Sequence, residues 1–587
     1  MRPCSLVLMV AVVAVAHGDR YHDRRPAPAA APSSRAIPPS EEERAASYWY
    51  AEAFDAIEAR LSPPAYDSVA RNVVMFLGDG LSVPTLAPAR TLKGQRQGRS
   101  GEEEQLAYER FPVTGLAKTY CVDKQIPDSA CTATAYLCGV KNNYGTLGVT
   151  ARVPRYDCDA STDRATHLES IAAWALADGR SAGIVTTTRI THASPAGAYA
   201  NSADRGWESD ADLRAAAVDP AACPDIADQL VNSHPGNQFQ ASQSVILGGG
   251  RRAFRPTTVL DEEYSPGRRL DGRDLIEEWR GQRAAAGVAH AYVWNRTELL
   301  RAVEDPPEYL LGLFEANHMQ YAAEARAAGN DEPTLAEMTE AAIRVLSRNP
   351  RGFFLFVEGG RIDHAHHDNL PHLALDETLA LSDAVERADA LLPPASSLLV
   401  LTADHSHVMA FNGYSRRGTD ILGPSDDIGD DGVPYMTLSY TNGPGYRSQQ
   451  GVGRVDVTQD SDFMSIAWMT HAEVPLASET HGGDDVAVFA RGPQQQLFTG
   501  LYEQSQLPHL MAHAACLGPA AALRAECSRP SPRRSPSPSR SPSQPRRPTP
   551  PRRLRAPPPR FCWQRRFSGS CRCPPQNHMR ILVYTRQ

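Results

Sequence analysis

Long hydrophobic runs are scarce in this 587-residue sequence. Residues 6–16 form one apolar run, preceded by Arg2 and followed by a small-residue site, which is typical of a secretory signal peptide over residues 1–18. The run is too short to span a membrane. The carboxyl end lacks the apolar stretch of a GPI signal or membrane anchor. We therefore expect a secreted protein, or one on the outer face of the plasma membrane, with no transmembrane segment.

Lysine and acidic residues are absent from the stretch 528–587, which contains fifteen Arg. This stretch is rich in Pro, Ser and Arg and is expected to be a disordered basic tail. A polar linker rich in Pro and Ala occupies 19–39. The rest of the chain then carries a formal net charge of −23, which suits cation binding and argues against a nucleic-acid partner for the body.

Eleven cysteines are present, and an oxidising compartment permits disulfides. Cys158 and Cys223 lie in polar, loop-like segments, as do Cys516 and Cys527, and we expect each of these two pairs to be bonded. Cys138 lies in an apolar segment and is expected to be a buried free thiol.

Apolar strand patterns alternate with helical patterns along the body of the chain, and no internal repeat is visible. The predicted strands are 72–77, 181–188, 243–247, 353–357, 397–402 and 485–489, and helical patterns occupy 40–61 and 338–346. This alternation predicts an α/β fold with a large, mostly parallel central sheet flanked by helices on both faces. Residues 413–478, rich in Gly, Asp, Pro and Tyr, indicate an inserted loop-rich subdomain, here called the crown segment.

Carboxylate and imidazole side chains adjoin four of these strands. They are Asp79, Glu358, Asp363, His367, Asp404, His405 and His481. The carboxyl ends of parallel strands meet at one edge of a sheet, so these donors predict a multinuclear metal site. Mixed Asp and His sets suit Zn²⁺, whereas oxygen donors alone suit Mg²⁺. One Asp after a strand, taken alone, is often only a helix cap.

Ser129 is a candidate nucleophile, because it follows Pro127-Asp128 and precedes a helix of small residues. The alternative is that Ser129 or Asp128 merely caps that helix. Arg205 has the planar fork that binds two phosphate oxygens, although an Arg beside Asp and Trp is usually a surface pair.

Seven segments together resemble the alkaline phosphatases, particularly those of animals. They are GDG, DSACTATAY, THASPAG, ADRGW, VEGGRIDHAHH, TADHSH and ETHGGDDVAVFARGP. The resemblance covers about 40–527, which would be the catalytic domain. It implies a homodimeric α/β enzyme that hydrolyses phosphate monoesters at alkaline pH through a phosphoserine, with two Zn²⁺ and one Mg²⁺ per subunit.

The resemblance also implies a role for each matching residue. The first zinc would be held by Asp363, His367 and His481, and the second by Asp79, Asp404 and His405. Magnesium would be held by Asp79, Ser194 and Glu358, with His192 and His364 around it. A further calcium site would fall on Glu263, the Phe314 carbonyl, Glu315 and Glu332, although the family usually has Asp at the last position. The family's disulfides coincide with the two pairs expected above, and Asn295 heads the only glycosylation sequon.

Four residues depart from the family pattern. They are Ser82, Pro84, Cys131 and Asn201. Cys131 replaces a small residue two positions after Ser129, where a free thiol would be open to oxidation or stray metal. None of the four removes a ligand, so we expect them to affect rate and metal preference more than activity itself.

Two other functions are alternatives to phosphate-monoester hydrolysis. A sulfatase or phosphodiesterase on the same fold is disfavoured, because the segment around Ser129 lacks a sulfatase pattern and diesterases usually lack the magnesium ligands that Ser194 and Glu358 would provide. An inactive secreted binding protein is disfavoured by the intact ligand set.

Overall fold

The computed structural model describes residues 40–61, 66–233, 236–240, 243–448 and 453–528. The predicted signal peptide and linker lie outside the described residues, as does the predicted tail apart from Ser528.

The strands occupy much of the described chain. In chain order they are β1 (Asn72–Gly78), β2 (Val113–Lys118), β3 (Ser181–Arg189), β4 (Ser244–Gly249), β5 (His290–Val293), β6 (Tyr309–Leu313), β7 (Phe353–Gly359), β8 (Ser397–Ala403), β9 (Ser406–His407), β10 (Met409–Phe411), β11 (Pro424–Ile428), β12 (Pro434–Met436), β13 (Leu438–Gly443), β14 (Ala472–Pro475), β15 (His481–Gly482), β16 (Val486–Arg491) and β17 (Gly500–Glu503).

Ten of these strands form one sheet in the order β17-β2-β16-β8-β1-β7-β3-β4-β6-β5. Among them, only β16 runs antiparallel to its neighbours β8 and β2. The central strands β1, β7 and β8 are buried along their whole length, as expected for apolar strands covered on both faces. The prediction of a mostly parallel sheet is confirmed.

Helices surround this sheet. They are α1 (Ala46–Leu61), α2 (Val83–Arg96), α3 (Ser129–Ala133), α4 (Cys158–Thr162), α5 (Ile171–Ala177), α6 (Ala193–Ala196), α7 (Asp210–Ala215), α8 (Ile226–Asn232), α9 (Leu275–Ala285), α10 (Arg296–Ala302), α11 (Ala322–Ala328), α12 (Leu335–Leu346), α13 (Arg361–His367), α14 (Pro371–Leu391) and α15 (Leu507–Ala515). No helix in the described part of the chain is both long and apolar enough to cross a membrane.

The crown segment contains short strands rather than loops alone. Within and beside it, β10, β13 and β14 form a three-stranded sheet, and β11 pairs with β12. The strand β9 pairs with β15, which brings His407 opposite His481. This small ribbon connects the crown segment to the edge of the main sheet that carries the predicted ligands.

Three disulfides are present among the described cysteines. Two are the expected pairs, Cys158–Cys223 and Cys516–Cys527, and Cys138 is a buried free thiol whose pKa is raised to about 12 by burial. The third, Cys121–Cys131, corrects the expectation of a free thiol at Cys131. Cys121 follows β2 and Cys131 lies in α3, and the fold brings their Cα atoms to 5.8 Å.

Candidate active site and metal centre

Four neighbouring strands, β8, β1, β7 and β3, end at one edge of the sheet, and the first three deliver the acidic side chains. The register pairs Gly78 of β1 with Gly359 of β7 and Ala403 of β8, so Asp79, Glu358 and Asp404 emerge side by side. The turn after β1 depends on Gly80, which has φ 71°, and a Cβ there would lie 2.5 Å from the His407 ring. The Gly80 amide donates to Asp404 Oδ1 at 2.9 Å.

Asp363, His367, His407 and His481 form the first donor group, with ligand atoms within 4.8 Å of one another. Helix α13 places Asp363 and His367 one turn apart. The Nδ1 atoms of His367 and His481 donate to the carbonyls of Glu479 and Pro127, at 2.5 and 2.7 Å, because a carbonyl can only accept.

The two remaining ring nitrogens then face each other. His367 Nε2 and His481 Nε2 lie 3.1 Å apart, each also within 3.4 Å of Asp363 Oδ1. Burial, together with neighbouring histidines, lowers the pKa of both rings below the usual value, so both are neutral and present lone pairs to one another. Two lone pairs and a carboxylate at such distances fit a cation held between them.

Asp79, Asp404 and His405 form the second donor group, and all three are buried. His405 Nε2 lies 3.0 Å from Asp404 Oδ2 and 3.6 Å from Asp79 Oδ1. Ser129 Oγ adjoins this group, 3.2 Å from His405 Nε2 and 3.5 Å from Asp79 Oδ1. The predicted nucleophile therefore lies at the edge of a predicted metal site.

Asp79, His192 and Glu358 form the third group. Ser194, the remaining magnesium ligand that the family resemblance implies, lies beside this group, and its Oγ donates to Asp79 Oδ2 at 3.4 Å. The hydroxyls of Thr186 and Thr188 on β3 both donate to Glu358 Oε2, while the buried Glu358 Oε1 has no hydrogen-bond partner in the described part of the chain. His364 lies farther out, with its ring centroid 5.5 Å from that of His192.

Electrostatic crowding supports cation binding at these three groups. Burial, and then the negative charges of Asp404 and Asp363, raise the pKa of Asp79 well above its usual range. Burial likewise raises the pKa of Glu358 to about 7. Glu358 Oε1 has no hydrogen-bond partner among the described residues. Buried carboxylates in this state are costly unless cations compensate them, so the donor set fits bound metal ions.

Arg205 faces the same space. Its Nη1 atom donates to Asp128 Oδ2 and its Nη2 atom to His192 Nε2, both at 3.0 Å. Although burial alone would lower it, the pKa of Arg205 is raised by Asp128, so the guanidinium is firmly charged. The structure thus brings Ser129, Arg205 and the three donor groups together.

The implied calcium residues form a separate acidic cluster. Glu332 interacts with Glu315 and Glu263, and burial followed by those charges raises its pKa to about 8. The Phe314 amide donates to Gly248 at 2.8 Å, which fixes the backbone next to Glu315. Glu263 also pairs with Arg251, a fully buried residue that supplies positive charge on one side of the cluster.

The protein-family model for alkaline phosphatase matches residues 70–517. The chain is 59% identical over 505 residues to the membrane-bound alkaline phosphatase of Bombyx mori, covering 85% of this chain and 90% of that protein. It is 46% identical over 498 residues to the tissue-nonspecific alkaline phosphatase of Gallus gallus, covering 84% and 93%. The chain belongs to the alkaline phosphatase family. The solved structure of Thermus thermophilus alkaline phosphatase is similar, with a TM-score of 0.55 at 25% identity, covering 82% of this chain and 95% of that one.

The identity to animal members places this alkaline phosphatase in the animal branch of the family. It is a metal-dependent phosphomonoesterase. The resemblance seen in the sequence is confirmed.

Two departures of this alkaline phosphatase from the family pattern make hydrogen bonds outside the donor groups. Ser82 Oγ lies 2.8 Å from Thr85 Oγ1, and Asn201 Nδ2 donates to the Leu168 carbonyl at 3.3 Å. Pro84 lies in the first turn of α2, where proline is tolerated. Within the described residues, neither Ser82 nor Asn201 hydrogen bonds to a predicted ligand.

Sequence reasoning missed several residues of the alkaline phosphatase site. His407 Nε2 lies 2.8 Å from Asp363 Oδ1, and its Nδ1 lies 2.5 Å from Glu479 Oε2. His407 lies in the segment TADHSH, two residues after the predicted ligand His405, and this spacing could have indicated that His407 belongs to the site. His318 packs against His364, with ring centroids 4.3 Å apart, and no pattern in the sequence indicated this contact.

Proposed function

We propose that this alkaline phosphatase transfers the phosphoryl group of a monoester first to Ser129 and then to water. One observation carries the proposal: Ser129 Oγ lies 3.2 Å from His405 Nε2 of a metal donor group, and Arg205 binds Asp128, the residue before Ser129. The oxygen of Ser129 would form the new bond to phosphorus as the bond to the departing alcohol breaks. Water would then cleave the phosphoserine.

The three donor groups would hold three cations. One Zn²⁺ would bind Asp363, His367 and His481, a second would bind Asp79, Asp404 and His405, and Mg²⁺ would bind Asp79, Ser194 and Glu358. Bound ions of this kind stabilise charge on phosphate oxygens and lower the pKa of a hydroxyl or water. The mixed nitrogen and oxygen donors of the first two groups suit zinc, and the oxygen donors of the third suit magnesium.

The chain's own groups orient the substrate and these ligands. Arg205 presents two N–H donors to non-bridging phosphate oxygens, and Asp128 on one side and His192 on the other limit its rotation. The carbonyls of Glu479 and Pro127 hold protons on His367 Nδ1 and His481 Nδ1, which leaves both Nε2 atoms as ligands.

Activity toward three esters tests the proposal. The purified protein is assayed against p-nitrophenyl phosphate, bis-p-nitrophenyl phosphate and p-nitrophenyl sulfate, and its bound metals are measured. We expect kcat/KM for the monoester to exceed the others by at least about 100-fold, with two zinc and one magnesium per chain. Preference for the diester would favour a phosphodiesterase, and bound metal without turnover would favour the binding-protein alternative.

The homodimer implied by the family is also proposed, with α1 as part of its interface. Trp49, Phe54 and Ile57 lie on this helix, and each side chain is more than half exposed. Large apolar side chains grouped on one helix fit burial against a second copy. Light scattering should give twice the chain mass, and a Trp49→Glu, Phe54→Glu double variant should shift toward the monomer. A monomeric wild-type protein would refute the dimer.

A calcium ion is proposed at Glu263, the Phe314 carbonyl, Glu315 and Glu332. The raised pKa of Glu332 supports this, because the carboxylates of Glu263, Glu315 and Glu332 interact with one another and Arg251 pairs with Glu263. Glutamate replaces the family's usual Asp at 332 and retains a carboxylate there.

An extracellular location is proposed as well. Three disulfides support an oxidising compartment. Asn295 is half-buried and its side-chain oxygen caps α10 by accepting from the Glu298 amide at 2.8 Å, which leaves its nitrogen for a glycan. Intact-mass analysis before and after glycosidase treatment tests the modification, and an unchanged mass would refute it.

A further inference from the structure

The Cys121–Cys131 disulfide closes a short loop that ends in the active site. Cys121 lies three residues after β2, and Cys131 lies in the first turn of α3, two residues after Ser129. Both cysteines are buried. The bond therefore joins the helix that carries the nucleophile covalently to the segment that leaves the main sheet.

Three consecutive residues of this loop each hold a part of the site. The Pro127 carbonyl accepts from His481 Nδ1 at 2.7 Å. The Asp128 carboxylate accepts from Arg205 Nη1 at 3.0 Å and from the Gly145 amide at 2.9 Å. Ser129 supplies the nucleophilic oxygen. A shift of this loop would move the carbonyl that orients His481, the carboxylate that orients Arg205 and the nucleophile together.

The rest of the loop is weakly held. Residues 122–126 are all exposed. The hydrogen bonds described for this stretch are Val122 N to the Asn142 carbonyl, 2.9 Å, and Tyr144 N to Asp123 Oδ1, 2.8 Å. A cavity of about 500 Å³ lies beside it, lined by residues 118–125 with Gly483 and Asp485. Packing on this side is incomplete. At the base of the loop the disulfide is the covalent constraint, beside the hydrogen bonds that Lys141 Nζ donates to the Lys118 and Tyr120 carbonyls at 3.2 and 2.9 Å.

We propose that the Cys121–Cys131 disulfide is a positioning element for phosphoryl transfer, holding Pro127, Asp128 and Ser129 in register with His481 and Arg205. The inference rests on the proposed roles of Ser129 and Arg205. Small misplacements matter here, because a shift of about 1 Å at reacting groups costs about 100-fold in rate. A disulfide that only stabilises the fold would leave the site geometry, and therefore kcat, intact.

The disulfide can be removed by substituting either cysteine. Cys121→Ser, Cys131→Ala and the double variant break the same bond, so we expect all three to lower kcat by the same factor, at least about tenfold. The inhibition constant for inorganic phosphate should rise as Arg205 loses its fixed partner. Bound zinc, measured by elemental analysis, should stay at the wild-type level.

The Cys516–Cys527 disulfide provides a matched control. Its sequence separation is 11 residues, against 10 for Cys121–Cys131. Removing either bond should therefore increase the conformational entropy of the unfolded chain by a similar amount. Cys516 caps the end of α15 and makes no contact with the donor groups in the described structure. Cys516→Ala with Cys527→Ser should lower Tm to a similar extent while kcat stays within twofold of wild type.

Full kcat in the Cys121→Ser, Cys131→Ala protein would overturn the proposal. A loss in Cys131→Ala without one in Cys121→Ser would also overturn it, because it would assign the effect to local packing. If the variants do not fold, the folded wild-type protein is reduced with a phosphine in zinc-containing buffer, and alkylation of the 121 and 131 thiols is followed by mass spectrometry. Unchanged kcat at full alkylation would then refute it. Failure of the proposed function appears separately, as an inactive wild-type protein or an active Ser129→Ala variant.

Discussion

Arg205 and Asp128 form a partly buried ion pair, with Nη1 and Oδ2 3.0 Å apart, and Asp128 is the residue immediately before Ser129. The guanidinium that would bind phosphate is thus tied to the backbone that carries the nucleophile. Burial alone would raise the pKa of Asp128, but Arg205 and the Gly145 amide lower it below its usual value. The carboxylate is therefore ionised throughout the working range.

Asp128→Ala should raise the inhibition constant for inorganic phosphate several-fold, because Arg205 loses its orienting partner. Hydrogen bonds to charged groups contribute about 1.5–3 kcal/mol. Removing the negative charge of Asp128 also removes its repulsion of phosphate, which offsets part of this loss. Asp128→Asn keeps an acceptor oxygen and should have a smaller effect. Equal phosphate inhibition in wild type and Asp128→Ala would show that Arg205 is held by other contacts.

Glu358→Gln should abolish activation by magnesium while leaving bound zinc unchanged, because it removes one of the two carboxylates of the third donor group and spares the first two groups. Glu377→Gln is the matched control, since Glu377 is also a buried glutamate whose pKa is raised to about 7 by burial, and it lies on α14. Activity is titrated against Mg²⁺ after metal removal and zinc reloading. A magnesium response in Glu358→Gln equal to wild type would contradict the assignment.

Most of the central sheet followed from the sequence, because β1, β7 and β8 are uniformly apolar runs bounded by Gly, Asp or Ser. Four sheet strands, β2, β5, β6 and β17, were not predicted. β5 and β17 have only four residues each, too few for a periodic signal, and β2 contains Gly115 at its centre.

Calcium binding should become tighter as pH rises from about 6 to 9. The pKa of Glu332 is raised to about 8, so calcium must displace a proton at low pH and meets an ionised carboxylate at high pH. The rise in Tm on adding calcium should accordingly grow with pH, and Glu332→Gln should remove that growth. An equal, pH-independent calcium shift in both proteins would place the ion elsewhere.

Metal-free protein should lose stability as pH rises from about 6.5 to 10, through His407. Burial lowers the pKa of His407, but Glu479 and Asp363 outweigh it and raise the pKa to about 10. Since the folded pKa exceeds the unfolded value of about 6.5, this stabilisation is complete below pH 6.5 and is lost by about pH 10. His407→Gln, compared with wild type by denaturant unfolding in a chelator, should flatten this pH dependence. Parallel curves would refute it.

The candidate ligands could be assigned from sequence because each stands beside a recognisable strand. The residues that orient them could not, since they are distant in the chain. Glu479 reaches His407 across 72 positions, and Arg205 reaches Asp128 across 77. The sequence left open whether Ser129 or Asp128 caps α3. Asp128 is the cap, with Oδ1 accepting from Cys131 N at 3.3 Å, and its second oxygen binds Arg205.

Trapping the covalent intermediate tests the central claim most directly. The metal-loaded enzyme is mixed with excess p-nitrophenyl phosphate, quenched in acid within milliseconds, digested and examined by mass spectrometry for the peptide that contains Ser129. The account predicts phosphate on Ser129 in the wild-type protein, and none on this peptide in Ser129→Ala. A phosphate-free Ser129 during undiminished turnover, or undiminished turnover by Ser129→Ala, would contradict it.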